Sequence, residues 1–209
     1  KKGVSYSWFA TKRLSFILNS QNKKNDSIDL VINDFKNILN PDVYIIFDFA
    51  EFLKNNEKFN DSIIYYSKAL KLINTQHPLF HEIMDGRGIS YERIGEWKKA
   101  ENDLLNSLKL MPDQAYVINY LAYSWIEKGI NIKKSLNMLM RANELKRNDG
   151  YIIDSLGWAY FKLKKFDEAK LYLQQAVKLM PSDPVVNDHY ADALWMTGKK
   201  IQARYYWNY

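Results

Sequence analysis

Bulky apolar side chains recur along this chain in paired amphipathic runs, and each pair returns after 34 to 38 residues. In 150–183 the chain reads GYIIDSLGWAYFKLKKFDEAKLYLQQAVKLMPSD. With Gly150 as position 1, bulky residues fall at 4, 7, 11, 17 and 24 (Ile153, Leu156, Tyr160, Phe166, Leu173), small ones at 8, 20 and 27 (Gly157, Ala169, Ala176), and Pro181 at 32. Spacings of three and four predict helices, and a fixed period of this size predicts stacked copies of one supersecondary unit.

Sliding the frame along the chain tests it. Position 8 is Ala50, Gly88, Ala122, Gly157 and Ala191; position 20 is Ser62, Ala100, Ser135, Ala169 and Ala203; position 27 is Ala69, Ser107, Ala142 and Ala176. All are Gly, Ala or Ser, types that make up about one residue in six of the chain, so the agreement is not compositional. Two antiparallel helices joined by a short turn approach to about 8–10 Å only where the residues at their crossing are small. Positions 8 and 20 are read as the crossing of helix A and helix B within a unit, and position 27 as the contact with the next unit. Pro112 and Pro181 fall just past a helix end, where a missing N–H costs the helix nothing.

The frame predicts helices over 43–55 and 59–73, 81–94 and 97–110, 115–128 and 132–146, 150–163 and 166–180, and 184–197 and 200 to the end. The corresponding five units are 43–78, 81–114, 115–149, 150–183 and a truncated 184–209. The linker Ile73 to Pro78 is about four residues too long, and the turn Gly129 to Ile132 carries one extra residue before Ser135; turns tolerate both. Residues 1–40 fit less well. Ile28, Val31, Phe35, Ile38 and Leu39 recur at helical spacing, and Trp8, Phe9, Leu14, Ile17 and Leu18 suggest an earlier helix across the polar run Ser20 to Asp26. This is read as a degenerate sixth repeat or an N-terminal capping hairpin, against the alternative of a disordered leader, with Lys1 to Ser5 frayed.

This pattern resembles the tetratricopeptide repeat (TPR), a 34-residue helix-turn-helix unit, over residues 43–209. The resemblance implies an all-α, right-handed superhelical solenoid of antiparallel helix pairs, whose inner, concave wall is built from helix A with positions 2, 5, 9 and 12 pointing into it. In the last three repeats those positions hold Tyr116, Asn119, Tyr123 and Ile126; Tyr151, Asp154, Trp158 and Phe161; and Val185, Asp188, Asp192 and Trp195. Aromatic residues there meet acidic ones. The partner-binding set implied is Tyr116, Asn119, Tyr123, Tyr151, Asp154, Trp158, Phe161, Asp188, Asp192 and Trp195, with exposed rings as anchors; the competing reading buries these rings against each other or the neighbouring repeat. One TPR subclass grips a peptide's free carboxylate with Lys, Asn and Arg at fixed positions. Those positions here hold Phe47, Glu51, Gly86, Tyr116 and Tyr120, so no such capture is implied.

The runs NYLAYSWIEKG from Asn119, DSLGWAYF from Asp154 and NDHYADALWMTGKKIQARYYW from Asn187 resemble the C-terminal repeats of bacterial cell-envelope TPR proteins. Some of those are outer-membrane lipoproteins that bring substrates to a carboxyl-terminal processing protease. The resemblance implies a non-enzymatic scaffold for a protein or peptide partner at the periplasm or outer-membrane periphery, with the cytoplasm as the alternative location. The alternative function is a TPR regulatory or substrate-binding domain of a larger enzyme. The lipidated cysteine of such lipoproteins is absent from this sequence.

The remaining chemistry narrows this further. The absence of cysteine removes thiol nucleophiles and Cys-ligated zinc. His77 and His81 are separated by Pro78, which argues against a metal pair. Asp188, His189 and Asp192 have no serine or threonine placed to complete a relay, and Gly86, Gly88 and Gly95 follow no strand, so they form no phosphate loop. No catalytic residue, metal or cofactor is expected. The net charge of +6 comes from 24 Lys and 6 Arg against 24 acids, and the basic pairs sit in inter-helix turns beside Asp and Glu. That reads as a solvated surface, not a nucleic-acid stripe. The longest uncharged stretch, Ala115 to Ile126, is too short to span a membrane. The last helix is rich in exposed-type aromatics, Tyr205, Tyr206, Trp207 and Tyr209, so it is expected to continue beyond Tyr209 or to be covered by another molecule, self-association included.

Overall fold

The computed structural model describes the backbone of residues 2–208 and the side chains of residues 6–208. The frayed end expected at Lys1 to Ser5 and the ring of Tyr209 fall outside the described side chains. Every regular element among the described residues is an α-helix: α1 Lys2–Ser20, α2 Lys24–Asn37, α3 Val43–Asn55, α4 Phe59–Lys71, α5 Leu79–Arg93, α6 Trp97–Leu110, α7 Ala115–Glu127, α8 Ile132–Leu145, α9 Gly150–Lys162, α10 Phe166–Leu179, α11 Pro184–Met196 and α12 Lys200–Trp207. Consecutive helices pair as antiparallel hairpins, and the chain forms two compact units, Lys1–Leu110 (unit 1, α1–α6) and Met111–Tyr209 (unit 2, α7–α12).

All fourteen small positions of the sequence frame are buried. The reason is visible at Gly157, where a Cβ would stand 2.6 Å from Leu173 Cγ and 3.1 Å from the Leu173 backbone nitrogen. Gly88 is held less closely but in the same way, a Cβ there standing 3.0 Å from Leu104 Cγ and 3.3 Å from the Ala100 carbonyl oxygen. The bulky position 24 of helix B thus seats on the small position 8 of helix A. A larger residue there would push the helices apart and unseat every layer beside it.

Most helix limits lie within two residues of the pattern's prediction. The departures have local causes. α5 starts at Leu79, two residues before the expected 81, because Pro78 already holds a helical φ of −52° and Leu79 is buried. The extra residue in the α7–α8 turn is absorbed by left-handed conformations at Gly129 (φ 68°) and Asn131 (φ 52°). Residues 2–37 form a helical hairpin, not a leader without structure, and Trp8 enters the core of unit 1. Its ring packs edge-on against Phe35 (5.8 Å) and Phe49 (6.2 Å), which are themselves stacked at 3.8 Å.

In unit 2, Asp149 and Asp183 cap α9 and α11 by each accepting two backbone N–H groups. These caps fix where the two helices begin and therefore the register of the side chains described next.

Candidate functional site

Helix A of each hairpin in unit 2, α7, α9 and α11, contributes to one face. Its centre is a three-ring stack. The His189 imidazole lies on the Trp158 indole at 3.9 Å and 13°, and Phe161 lies on the same indole at 4.7 Å and 9°. Trp158 is 7% exposed, its Nε1–H donates to Glu127 Oε1 at 2.7 Å, and the Lys162 ammonium sits 4.5 Å from its ring. Lys162 also meets Glu127 at 3.8 Å. Behind the stack, His189 Nδ1 bonds both carboxylate oxygens of Asp154 at 3.1 and 3.0 Å, with His189 and Asp154 each 5% exposed. A buried carboxylate is tolerable only with such a partner.

The exposure expected of two site residues is therefore corrected. Trp158 and Asp154 are interior, because the ring of one and the charge of the other are satisfied by the neighbouring repeat. His189 does not join Asp188 and Asp192 on its own helix; it turns inward to Asp154, 35 residues away. The rings open to solvent are Tyr116 (55% exposed) and Tyr151 (59%), while Tyr123, Phe161 and Trp195 are half-buried. Tyr116 is fixed by its hydroxyl donating to Asp149 at 3.0 Å and by Lys146 at 3.8 Å from its ring. Burial first, then the charges of Glu127 and Asp154, push the Tyr123 hydroxyl up to about 12. Asn119 keeps a buried side-chain oxygen with no hydrogen-bond partner among the described residues.

The acids at the α11 end of the face are Asp188 and Asp192, one turn apart. Burial and the charge of Asp188 raise the Asp192 carboxyl above its ordinary range; the Trp207 side chain, His189 and Lys162 only partly offset this. Trp207 also packs its ring 5.4 Å from Trp195, with Lys200 5.0 Å from the Trp195 ring. Sequence reasoning did not include Glu127, Lys162, His189 or Trp207 in this face. The available signal for His189 was its place at position 6, beside position 5 of the preceding repeat.

Among the described residues no group of three or more His, Asp and Glu side chains could hold a metal ion. Nor is any described helix long and apolar enough to cross a membrane.

The family model described as tetratricopeptide repeat matches residues 13–208. The chain belongs to the tetratricopeptide repeat family. TPR proteins mediate protein–protein interactions. TPR repeat-containing protein PA4667 of Pseudomonas aeruginosa is 28% identical over 136 residues, covering 65% of this chain. The chain spans 22% of that relative's length. Among solved structures, a tetratricopeptide repeat protein of Parabacteroides merdae has a TM-score of 0.69 at 18% identity, covering 96% of this chain and 77% of that one. MamA of Desulfovibrio magneticus has a TM-score of 0.67 at 15% identity, with 79% and 91% covered. PilF of Pseudomonas aeruginosa has a TM-score of 0.67 at 18% identity, with 79% and 73% covered. At these identities the likeness is one of fold, and it agrees with the all-α TPR architecture of helix pairs.

Proposed function

We propose that this TPR chain is a non-enzymatic scaffold that holds a protein or peptide segment against the helix-A face of unit 2. The observation that carries this reading is the acid pair Asp188 and Asp192 beside the half-buried rings of Phe161 and Trp195: two carboxylates that repel one another offer a site to a cation, and the rings offer apolar area beside it. The expected ligand is a basic or amide-rich segment with apolar side chains. Tyr116, Asn119, Tyr123 and Tyr151 extend the surface, while Asp154 and Trp158 act from beneath by holding His189 and Phe161 in place.

The proposed location is the periplasm or outer-membrane periphery of a bacterium, where such a scaffold would present substrates to an envelope protease. The likeness of the three C-terminal runs to envelope TPR proteins and the bacterial TPR relative support it. Osmotic-shock fractionation of the full-length protein in its source cells tests the location, and recovery with the cytosol would overturn it.

The binding reading is tested by fluorescence anisotropy with a panel of peptides that vary in Lys, Arg and aromatic content. Asp188→Lys with Asp192→Lys should weaken the best basic peptide at least tenfold, whereas Lys170→Ala with Gln174→Ala, on helix B, should leave it unchanged. The reverse pattern would move the working surface to the helix-B side.

A further inference from the structure

The turns that join helix A to helix B within each hairpin of unit 2 lie on one edge of the stack, and that edge is cationic. Segments 127–134, 162–168 and 196–202 carry eight lysines, Lys128, Lys133, Lys134, Lys162, Lys164, Lys165, Lys199 and Lys200, against the three acids Glu127, Asp167 and Glu168. All eight are exposed. The opposite edge, 111–114, 145–149 and 179–183, carries Lys146 and Arg147 against Asp113, Asp149 and Asp183. Two of those aspartates are helix caps. The charge is thus sorted between edges, not spread over the surface as the turn composition alone suggests.

Three further observations show how this edge is built. Four of the lysines rest on rings of their own hairpins: Lys134 on Trp125 (4.9 Å), Lys162 on Trp158 (4.5 Å), Lys165 on Tyr160 (5.9 Å) and Lys200 on Trp195 (5.0 Å). Their stems are ordered before any ligand arrives, which reduces the entropy lost on binding. Second, the left-handed position of the three turns is glycine twice, Gly129 (φ 68°) and Gly198 (φ 81°), but lysine in the middle turn, Lys164 (φ 60°). An L side chain there is strained where glycine is not, and in this case the side chain it places is a cation. Third, apolar tips stand among the charges: Ile201 is 86% exposed, and Ile130 and Met196 are also exposed in the turns of the same edge.

We propose that the A–B turn edge of unit 2 docks on an anionic lipid bilayer. The chemistry chooses this partner among polyanions. The cations of the edge are all lysine, point charges suited to a diffuse field of phosphates, with none of the forked guanidinium groups that read single phosphates or bases. The rings that could stack on nucleobases lie under the lysine stems. The apolar tips have the size to enter the boundary between headgroups and acyl chains, which neither a nucleic acid nor an acidic protein surface offers in the same plane. This contact borders the acid and ring face, sharing Lys162 and Lys200 with it, and leaves Asp188 and Asp192 for a protein partner, so it goes beyond the scaffold reading and does not depend on it.

The test is flotation of the full chain with vesicles of phosphatidylcholine alone or with about one third phosphatidylglycerol, at low and high salt. Binding is expected only to the anionic vesicles and should fall steeply as salt shortens the screening length to below about 8 Å. Lys133→Glu, Lys164→Glu and Lys199→Glu together change three lysines that touch no ring or carboxylate among the described residues, and should lower partitioning at least tenfold. The matched triple Arg147→Glu, Lys178→Glu and Arg204→Glu alters net charge equally and should lower it less than twofold. Lys164→Gly is a separate check: it should raise the melting temperature while weakening partitioning. Equal losses in the two triples would reduce the effect to net charge and overturn the proposal. So would absence of binding to anionic vesicles at low salt, or tighter binding to RNA or to an acidic polypeptide than to the vesicles.

Discussion

In unit 1 the acids Asp48, Glu51 and Asp103 are answered from within. Asp48 accepts from the Lys12 ammonium at 2.6 Å and from the Trp8 indole at 3.3 Å; Glu51 accepts from Lys54 at 2.9 and 2.8 Å and from the Tyr66 hydroxyl, which burial and Glu51 hold well above its ordinary range. Asp103 takes a two-pronged pair of bonds from Arg87, Nε at 2.7 Å and Nη2 at 2.9 Å. Unit 2 answers Asp154 the same way, through His189, but leaves Asp188 exposed and Asp192 half-buried, with a hydrogen bond from the Trp207 side chain. One repeat frame therefore serves two ends. Where a neighbouring side chain supplies a cation or hydroxyl, an acid at the helix-A face is a structural part; where none does, the acid stays in contact with solvent.

The comparison is broken most directly at Trp158. Because this ring is interior, Trp158→Ala is expected to destabilise unit 2 by about 3–5 kcal/mol, as for other large aromatic truncations, read by chemical denaturation. A loss under about 1 kcal/mol would return Trp158 to the surface and make it an anchor. Next, Arg87→Met leaves Asp103 buried and unpaired and should cost about 3 kcal/mol. Burial works against the Arg87 charge, but the hydrogen bonds and charge of Asp103 outweigh it and hold the guanidinium above its ordinary value. A variant as stable as the parent would mean that the pair is not what organises this hairpin.

A smaller effect concerns Asp85, at position 5 of its repeat. Burial pushes its carboxyl up to about 7; a bond from Ser107 and the charge of Lys54 oppose this, while Glu82 and Glu51 add to it. One of its oxygens is buried without a hydrogen-bond partner among the described residues. A folded-state value above the unfolded one of about 3.9 means the native state binds the extra proton. Its stabilising contribution is complete below about pH 4 and is lost as pH rises toward 7. Asp85→Asn should therefore gain about 1 kcal/mol at pH 7.5 and flatten the slope of stability between pH 4 and 7, measured by denaturant titration across that range. An unchanged slope would place the titration elsewhere. The smallest effect is at Lys162, whose partner Glu127 is exposed: Lys162→Met should change stability by no more than about 0.5 kcal/mol, and a cost above about 2 kcal/mol would show that unit 2 is wired internally like unit 1.

The fold was legible in the sequence to the extent that packing distance dictates residue size. Helix crossings admit only Gly, Ala or Ser, and that constraint marks positions 8, 20 and 27 in an otherwise varied chain. Side-chain pairing was less legible, because it joins residues one repeat or one hairpin apart and the frame does not say which way each turns. Asp154 and Trp158 occupy outward positions of helix A yet end inside, drawn by His189 and Glu127 from the adjoining helices. Arg87 had a visible signal: its position 7 holds Phe49, Leu121, Leu156 and Tyr190 elsewhere, so a charge there required a buried partner. The sorting of lysines to one edge was hidden because composition counts charges without regard to which turns share an edge.

The small residues at positions 8 and 20 also bear on how the chain acquires its structure. They lie about a dozen residues apart, so the contact that defines a hairpin closes a short loop, an event on the order of 10–100 ns for segments of about this length. Each hairpin is therefore complete within some thirty residues of synthesis and waits only for its neighbour, without searching for distant strands or late partners. A nascent chain of this kind can fix its helices one pair at a time as they emerge, with the earlier pairs serving as the template on which the later ones settle.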